Sequence, residues 1–311
     1  NMTYQVFIDG QSGTTGLHLQ ERLANRKDIT LLHIAEAERK DIHRRQELIN
    51  AADIVFLCLP DAAAIEAVKL CNNEKTIIID ASTAHRTNDQ WVYGLPELSP
   101  AYRQQIATAK RIANPGCYAT GANCILFPLR QAGILPADYP VTIHAVSGYS
   151  GGGKTMIHDY ETESPNKDLI YTRPYALGLK HKHLPEIQKV SGLAQPPIFN
   201  PQVGDFYAGM TVSIPLYSHL LYNHPGQKEV FAALMEHYKG EKFITVKEPP
   251  ESGFLSAGEN TGSNFLTIYV CGNDQQITIT SVLDNLGKGA SGAAVQNMNI
   301  ALGLNEELSL I

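Results

Sequence analysis

One stretch near the start of the chain decides the fold: Tyr4-Gln-Val-Phe-Ile-Asp9-Gly10-Gln-Ser12-Gly13-Thr14-Thr15-Gly16. Its first half is apolar, its second half is rich in glycine, and leucines at positions 17, 19 and 23 then begin a helical pattern. The stretch therefore predicts a strand, a tight turn and a helix, in that order.

The same alternation continues through the first third of the chain. Short apolar runs lie at 29–35, 53–59 and 76–80, with a helical pattern at 62–70. These runs are apolar at consecutive positions, as in strands that helices cover on both faces. Because alternating strands and helices build such sheets, we predict an α/β fold with a parallel, doubly wound sheet.

The pattern changes after Asn114, and we place a domain boundary there. A helix is predicted at 117–131, and a second one, rich in alanine and glycine, at 287–302. Later segments predict an antiparallel or mixed sheet, with strands at 141–147, 210–216, 264–270 and 276–282.

The length of 311 residues favours two domains, because it exceeds what one hydrophobic core comfortably serves. We expect a dinucleotide-binding domain at 1–114 and 286–311, which includes the returning C-terminal helix. We expect an α+β catalytic and substrate domain at 115–285.

Composition narrows the class of protein. Apolar residues make up 43% of the chain and charged residues 18%, as in folded globular proteins. A net charge of -6 gives no broad positive field, which argues against nucleic acid as the main partner. No window approaches the roughly 18 consecutive apolar residues of a membrane helix. We expect a cytoplasmic protein without a membrane partner.

The five cysteines suit a reducing compartment, because their number is odd and none forms a Cys-x-x-Cys pair. That spacing also argues against a zinc site built from thiolates, and no metal site is predicted.

The glycines of the opening stretch predict a dinucleotide site. Gly10, Gly13 and Gly16 would let backbone N–H groups approach a pyrophosphate at the start of a helix. Three hydroxyl side chains of the same turn would add donors for phosphate: Ser12, Thr14 and Thr15. The spacing is GxxGxxG rather than GxGxxG, so a glycine-rich turn without a ligand is the alternative.

A cationic pair follows the second predicted strand, at the position where such sites contact the ribose. Glu36 would suit a ribose hydroxyl, whereas Arg39 and Lys40 would suit the 2′-phosphate of NADP. The pair favours NADP, and a solvated run of charges is the alternative.

Cys117 stands at the predicted start of a helix, in Asn114-Pro-Gly-Cys117-Tyr. Unpaired N–H groups and the helix dipole lower the pKa of a thiol there and favour the thiolate. Cys117 is therefore a candidate nucleophile, although most cysteines are buried and inert. Cys58 and Cys271 fit that inert class because they lie in apolar or alternating strand runs, and Cys124 is assigned to the core because it follows Cys117 by seven residues on the same helix face.

A second candidate group is Lys180-His181-Lys182-His183-Leu-Pro-Glu186. The two lysines would attract a phosphate, and His181 or His183 could transfer a proton to a reacting oxygen. A basic surface loop is the alternative. Metal binding by His181 and His183 with Glu186 is conceivable, but no HExxH pattern supports it.

The loop Gly148-Tyr-Ser-Gly-Gly-Gly153-Lys154-Thr155 matches the P-loop pattern GxxxxGK[ST]. A P-loop would make the protein an ATPase. The loop instead lies in mid-chain, and the acidic strand end at Asp80 precedes it. We interpret the loop as an anion site for a substrate phosphate.

Three further residues lie at predicted strand ends, where ligands bind in doubly wound sheets. Ser82 follows the strand that ends at Asp80 and is a candidate cofactor contact, and Arg86 is a candidate phosphate clamp. Asn285 precedes the last helix and could bring its amide to a nicotinamide. A salt bridge within the fold is the alternative for Arg86, and a plain turn is the alternative for Asn285.

Taken in chain order, six motifs resemble those of the short form of N-acetyl-gamma-glutamyl-phosphate reductase, an enzyme family of arginine biosynthesis. They are Gly10 to Gly16, Asp80-Ala-Ser82, Asn114-Pro-Gly-Cys117-Tyr, Val146-Ser147-Gly148-x-Ser150-Gly151-x-Gly153, His181-x-His183-x-Pro-Glu186 and Asp284-Asn285-Leu-x-Lys288-Gly289. The resemblance implies a Rossmann-like NADP domain and an α+β catalytic domain. It also implies a homo-oligomer.

The resemblance assigns the nucleophile to Cys117 and the general acid-base to His181, with His183 as the nearby alternative. Lys154 stands where many members have arginine. Substrate contacts are expected from eight residues: Arg86, Asn114, Ser147, Gly148, Ser150, Lys154, His183 and Glu186.

The implied reaction reduces an acyl phosphate to an aldehyde through a thioester on Cys117. Its nearest rival is aspartate-semialdehyde dehydrogenase, which uses the same chemistry on an unacetylated amino acid. A P-loop ATPase and a catalytically inactive NADP-sensing module are further alternatives.

Overall fold

The computed structural model describes residues 2–311. The chain forms two compact units: unit 1 comprises the residues up to Pro115 together with Ala290–Ile311, and unit 2 comprises Gly116–Gly289. Within residues 2–311, no helix is both long enough and apolar enough to cross a membrane.

Unit 1 contains a six-stranded sheet in the order β2-β1-β3-β4-β6-β5, and all of its strand pairs are parallel. Its strands are β1 (Tyr4–Asp9), β2 (Ile29–Leu32), β3 (Ile54–Leu57), β4 (Ile77–Asp80), β5 (Val92–Tyr93) and β6 (Arg111–Ala113). The chain moves from β1 out to β2 and then returns to the other side of β1 at β3. This reversal opens a crevice at the carboxyl ends of β1 and β3, where doubly wound sheets bind ligands.

Five helices belong to unit 1: α1 (Thr14–Leu23), α2 (Ile42–Ala51), α3 (Asp61–Lys69), α4 (Pro100–Thr108) and the C-terminal α9 (Gly292–Ala301). The core strands β3 and β4 are buried at every residue, which explains their β-branched and aromatic runs. The C-terminal helix α9 packs against α1, α4 and β4.

Unit 2 contains a seven-stranded mixed sheet in the order β11-β12-β13-β10-β7-β9-β8. Its strands are β7 (Thr142–Gly148), β8 (Arg173–Pro174), β9 (Ile198–Gly204), β10 (Met210–Tyr217), β11 (Ile244–Lys247), β12 (Leu266–Gly272) and β13 (Gln276–Leu283). Two pairs, β7 with β9 and β11 with β12, are parallel, and the other pairs are antiparallel.

Four helices complete unit 2: α5 (Cys117–Gln131), α6 (Gly153–Glu161), α7 (Leu184–Ser191) and α8 (Gln227–His237). The long helix α5 packs against β10, β13, α7 and α8. Gly121 permits a close approach, because a Cβ atom there would lie 2.7 Å from Cγ2 of Val212. Helix α5 is therefore the buried centre of unit 2.

The parallel sheet and the mixed sheet confirm the fold class predicted from the sequence. The predicted final helix differs in one respect, because residues Gly287–Ser291 form a π-helical turn before α9. The second predicted strand was also too long. It ends at Leu32, and a short 3-10 turn at Glu36–Glu38 follows.

Candidate active site

The glycine-rich turn of unit 1 is shaped by two close backbone approaches. Gly10 has a φ of +86°, and a Cβ atom there would lie 2.3 Å from the carbonyl oxygen of Cys58. A Cβ atom on Gly16 would lie 2.5 Å from the carbonyl oxygen of Gly10. Helix α1 follows Gly13, and no side chain among the described residues caps it. The first N–H groups of α1 are therefore a suitable binding site for an anion.

The hydroxyl residues of this turn lie at or just before the start of α1, and their contacts with a cofactor stay predictions. Thr14 and Thr15 occupy the first two positions of α1. Arg39 reaches the turn, because its Nη1 lies 3.4 Å from Oγ of Ser12. The same Nη1 lies 3.1 Å from a carboxylate oxygen of Glu36, and both side chains are largely exposed. A solvent-facing cation thus lies beside the turn.

Two buried carboxylates lie at the carboxyl edge of the sheet, and their ion pairs were not predicted from the sequence. Asp9 ends β1 and pairs with Arg45, whose Nη2 lies 2.8 Å from Oδ2 of Asp9. Asp80 ends β4 and pairs with His85, at 2.5 Å between Oδ2 and Nδ1. Ser82 donates both its N–H and its hydroxyl to Asp80. The hydroxyl of Ser82 is therefore used within the fold, and its contact with a cofactor stays a prediction.

Arg86 and Asn114 both make hydrogen bonds within unit 1. Arg86 donates from Nε to the carbonyl oxygen of Asn114 at 2.9 Å and from Nη2 to that of Ala81 at 3.0 Å. The amide of Asn114 donates to the carbonyl oxygen of Ala290 and accepts from Asn297, at 3.0 and 3.1 Å. These bonds join the ends of β4 and β6 to α9. Substrate contacts by Arg86 and Asn114 stay predictions.

Cys117 is the first residue of α5 in unit 2, and its side chain is partly exposed. Gly116 precedes it as the N-cap residue, and no described side chain caps the helix. A Cβ atom on Gly289 would lie 2.8 Å from Cβ of Cys117, so only glycine leaves room at that position. The geometry favours the thiolate, because the uncapped helix end attracts negative charge.

Two tyrosine hydroxyls lie near Cys117, and sequence reasoning did not identify them. The hydroxyls of Tyr118 and Tyr175 are 2.6 Å apart. Burial raises the pKa of Tyr118, and the nearby charge of Cys117 contributes to the increase. Burial likewise raises the pKa of Tyr175 to about 12, and Cys117 contributes. Both hydroxyls therefore stay protonated. The position of Tyr118 beside Cys117 in the sequence was the only available signal.

The histidine pair lies against the start of α5. The ring of His183 occupies the space beside Gly116, where a Cβ atom would lie 2.5 Å from Nε2 of His183. The carboxylate of Glu186 is buried and accepts a hydrogen bond from the N–H of Gly116 at 3.3 Å. The sequence motif and Cys117 are thus brought together through Gly116.

His181 has a defined tautomer in its neutral form. Its Nδ1 accepts a hydrogen bond from the backbone N–H of His183 at 3.0 Å, so the ring hydrogen lies on Nε2. Burial lowers the pKa of His181 to about 4, and the charge of Lys182 contributes. The imidazole is therefore neutral at physiological pH and presents an Nε2–H donor.

The glycine-rich loop after β7 is fixed by backbone hydrogen bonds to residues 206–209. The N–H groups of Gly148 and Ser150 donate to Gly209 and Tyr207, so neither of these two N–H groups serves as a free anion donor. Lys154 lies exposed in the first turn of α6. Strand β7 has an antiparallel neighbour, β10, whereas P-loop strands lie in buried parallel sheets. The P-loop interpretation is therefore unsupported by the architecture.

Comparison with known proteins identifies the family. A family model described as "Semialdehyde dehydrogenase, NAD binding domain" matches residues 5–109, and one described as "Semialdehyde dehydrogenase, dimerisation domain" matches residues 117–285. The chain is 49% identical to N-acetyl-gamma-glutamyl-phosphate reductase 2 of Nostoc sp., over 98% of this chain and 99% of the relative. It is 48% identical to N-acetyl-gamma-glutamyl-phosphate reductase 2 of Pseudomonas putida, over 96% of each chain.

Solved structures agree on the fold alone. Aspartate semialdehyde dehydrogenase II of Vibrio cholerae superposes with a TM-score of 0.74 at 16% identity, covering 97% of this chain and 99% of that one. The Candida albicans aspartate semialdehyde dehydrogenase with NADP superposes with a TM-score of 0.68 at 15% identity, covering 96% of this chain and 98% of that one.

The identities near 48% over nearly full length confirm the resemblance drawn from the motifs. The chain therefore belongs to the N-acetyl-gamma-glutamyl-phosphate reductase family, within the semialdehyde dehydrogenases.

Proposed function

We propose that this protein reduces N-acetyl-glutamyl 5-phosphate to N-acetyl-glutamate 5-semialdehyde with NADPH and releases phosphate, as a step of arginine biosynthesis. The names of the relatives at 48 to 49% identity support this substrate. The structural observation that carries the chemistry is Cys117 at the uncapped first position of α5. The ring of His183 lies against the adjoining Gly116, and the ring of His181 lies edge-on to Tyr118.

Cys117 is the nucleophile of the proposed reaction. Its thiolate attacks the carbonyl carbon of the acyl phosphate and forms a C–S bond. The bond between that carbon and the phosphate oxygen breaks, and phosphate leaves with the electron pair and takes one proton from solvent. The product of this first half is a thioester on Cys117 and free phosphate, so one difficult reduction is split into two easier steps.

The residues of unit 1 fit a dinucleotide cofactor. The close approaches at Gly10 and Gly16 leave no room for side chains beside the first N–H groups of α1, which is the arrangement that a pyrophosphate requires. Arg39 beside Ser12 is a candidate for holding a 2′-phosphate. When bound, NADPH supplies the hydride that reduces the thioester carbon.

His181 acts on the oxygen that becomes negative as the thioester is reduced. Its neutral ring donates a hydrogen bond from Nε2 to that oxygen, because Nδ1 is already engaged by the backbone of His183. The negative oxygen then re-forms the carbonyl group, the C–S bond breaks, and Cys117 leaves again as a thiolate. The aldehyde is thereby released without a net change in the protonation of His181.

The phosphate of the substrate is assigned to the loop after β7. The backbone N–H groups of Gly148 and Ser150 are used internally, and the hydroxyl of Ser147 donates to the carbonyl oxygen of Gly148 at 3.2 Å. The hydroxyl of Ser150 is therefore the stronger candidate, and a substrate contact by Ser147 stays a prediction. Lys154 is exposed and adds positive charge at the start of α6. Glu186 accepts a hydrogen bond from the N–H of Gly116 and so helps to position it, and its contact with the substrate stays a prediction.

A homo-oligomer in the cytoplasm completes the proposal. The family model that matches residues 117–285 is described as a dimerisation domain, which supports an assembly of at least two copies. The location rests on the biosynthetic role alone.

Aspartate-semialdehyde dehydrogenase remains the competing assignment for the substrate, because the solved structures named so share the fold at 14 to 17% identity. An unacetylated substrate carries an ammonium group that needs a buried carboxylate partner. The acetylated substrate has no such requirement, and the much higher identity to the reductases favours it.

The proposal is tested in the reverse direction, by following NADPH formation from NADP, inorganic phosphate and an aldehyde. The aldehyde is either N-acetyl-glutamate semialdehyde or aspartate semialdehyde, and Cys117→Ser is the matched variant. We expect turnover of the acetylated aldehyde only, with loss of activity in the variant. Activity that survives in Cys117→Ser contradicts the thioester, and preference for the aspartate compound overturns the substrate.

A further inference from the structure

Asn285, the residue that the sequence suggested as a nicotinamide contact, lies in unit 2. It follows β13 directly after Asp284, and only 2% of it is exposed. Both ends of its amide are hydrogen-bonded inside the unit. Oδ1 accepts from the N–H of Gly209 at 2.8 Å, and Nδ2 donates to Oγ of Ser150 at 3.0 Å.

The direction of these hydrogen bonds is fixed by the backbone. The N–H of Gly209 can only donate, so the amide atom facing it must be the oxygen of Asn285. The nitrogen of the amide then faces Ser150, whose hydroxyl oxygen must accept. A hydroxyl has one hydrogen to donate. The hydrogen of Ser150 is therefore directed away from Asn285.

The surroundings of Ser150 suit a ligand that accepts hydrogen bonds. Gly151 is exposed, and a Cβ atom there would lie 3.4 Å from Oγ of Ser147 and 3.5 Å from Nδ2 of Asn285. The two serine side chains and the amide thus adjoin the small space that Gly151 leaves open. Both serines are buried, at 3% and 2% exposure, so their hydroxyls are held rather than freely solvated.

We propose that Asn285 is a positioning residue that holds the hydroxyl of Ser150 as a hydrogen-bond donor to a phosphoryl oxygen of the substrate. The proposal rests on the function argued above, in which phosphate is the leaving group. Phosphate oxygens at neutral pH mainly accept hydrogen bonds, so a serine that turned its lone pairs toward them would weaken binding. Asn285 prevents that rotation, because its Nδ2 occupies the acceptor side of Ser150.

The test uses Asn285→Asp, which keeps the size of the side chain and can still accept from Gly209. A carboxylate has no donor, so the hydroxyl of Ser150 turns and donates to Asp. We expect the KM for inorganic phosphate in the reverse reaction to rise about tenfold or more, with kcat less affected. The Kd for NADP should stay within about twofold, because the proposed role involves no contact with the cofactor.

The same substitution in a Ser150→Ala background is the decisive control, since the new negative charge could repel phosphate by itself. If Asn285 acts through Ser150, Asn285→Asp changes phosphate binding by less than about twofold in that background. A uniform loss in both backgrounds overturns the proposal. A loss of NADP affinity that leaves phosphate unaffected overturns it as well and restores the nicotinamide contact.

A second variant and a second measurement keep the test independent of folding and turnover. Asn285→Ala introduces no charge, and its effect should likewise vanish in the Ser150→Ala background. Binding of inorganic phosphate to the enzyme with NADP, followed by phosphorus NMR, needs no aldehyde. If the Asn285 and Ser150 substitutions have non-additive effects on phosphate binding but the enzyme shows no turnover, the positioning role holds and the proposed reaction is contradicted. If the enzyme turns over and the effects of the two substitutions are additive, only the positioning role is contradicted. An enzyme that binds no phosphate overturns the positioning role.

Discussion

Cys117 differs from the other cysteines in the surroundings of its sulfur. It is partly exposed at the first position of a helix, whereas Cys124 is fully buried on the same helix. Burial raises the pKa of Cys58 to about 12, and the charges of Asp80 and Asp9 contribute. The thiolate is thus favoured at Cys117 and suppressed at Cys58.

This contrast predicts selective alkylation. Iodoacetamide at neutral pH should modify Cys117 at least about tenfold faster than Cys58, since only the thiolate reacts. Mass spectrometry of peptides after short exposure measures both rates in one sample. Cys271 is a second internal comparison, because burial also raises the pKa of its thiol. Equal rates at Cys117 and Cys58 would remove the argument for an activated thiol.

His181 makes the stability of the fold depend on pH. Its pKa is about 4 in the folded chain and 6.5 in its ordinary state. Between these values the unfolded chain binds more protons than the folded one, so the free energy of unfolding falls as the pH falls from 6.5 toward 4. Above pH 6.5 His181 is neutral in both the folded and the unfolded chain, so it no longer lowers the free energy of unfolding.

The matched variant is His181→Asn, whose Oδ1 can accept from His183 in place of Nδ1 and which does not titrate. The midpoint of urea unfolding should fall less between pH 6.5 and pH 4 in the variant than in the unchanged protein. Parallel curves for the two proteins would show that His181 is not desolvated in the folded chain.

At the scale of elements, the backbone of the turn between β1 and α1 is the proposed pyrophosphate site, and Arg39 adds a charge beside it. The guanidinium lies 3.4 Å from Ser12 and is only partly balanced by Glu36, an exposed partner. A 2′-phosphate carries negative charge that a ribose hydroxyl lacks, so Arg39 is expected to select NADP over NAD.

Replacing Arg39 by Gln should raise the KM for NADP by about ten- to a hundredfold and leave the KM for NAD nearly unchanged, because the loss of one charge-assisted hydrogen bond costs roughly 1.5–3 kcal/mol. Arg44→Gln is the control, because Arg44 pairs with Glu38 and Glu47 on the surface. An equal loss for both cofactors would assign Arg39 to the adenine or the pyrophosphate instead.

The elements that the sequence predicted well are those with a strong local signal. The bounds of β1 and α5 agree with the prediction, because one has an apolar run before glycine and the other starts after Pro-Gly. Strand β9 was missed because Asn200 and Pro201 interrupt its pattern, and only pairing with β7 makes it a strand. Local propensity cannot reveal such pairing partners.

The same limit applies to the site. Cys117 and the histidine pair could be identified because each lies in a compact motif. Tyr175 could not, since its hydroxyl meets Tyr118 only through the fold, 57 positions apart in the chain. Asn285 was identified as a residue of interest, but its partners Gly209 and Ser150 come from two other segments. Long-range hydrogen bonds decide what such a side chain does.

At the scale of the whole molecule, the mixed sheet of unit 2 has one face that its own helices leave partly uncovered. Along β10, alternate residues such as Val212 are buried, while Thr211 and Ser213 are half-buried. Helix α5 packs against β10 and β13. On β7, His144 pairs with Ser213 in the sheet and is exposed. A second copy of the chain that packed on this face would bury these residues.

We therefore expect a native mass of at least twice the chain mass of 34.0 kDa in sedimentation equilibrium. A charge buried in an interface without a partner is costly, so His144→Glu should weaken a dimer formed on this face and shift the mass toward that of one chain. Thr245→Glu is the control, because Thr245 is an exposed residue of β11 at the far edge of the same sheet. Dissociation by both variants, or by Thr245→Glu alone, would place the interface elsewhere. A single-chain mass for the unchanged protein would mean that the half-buried face of β10 and β7 is simply solvated.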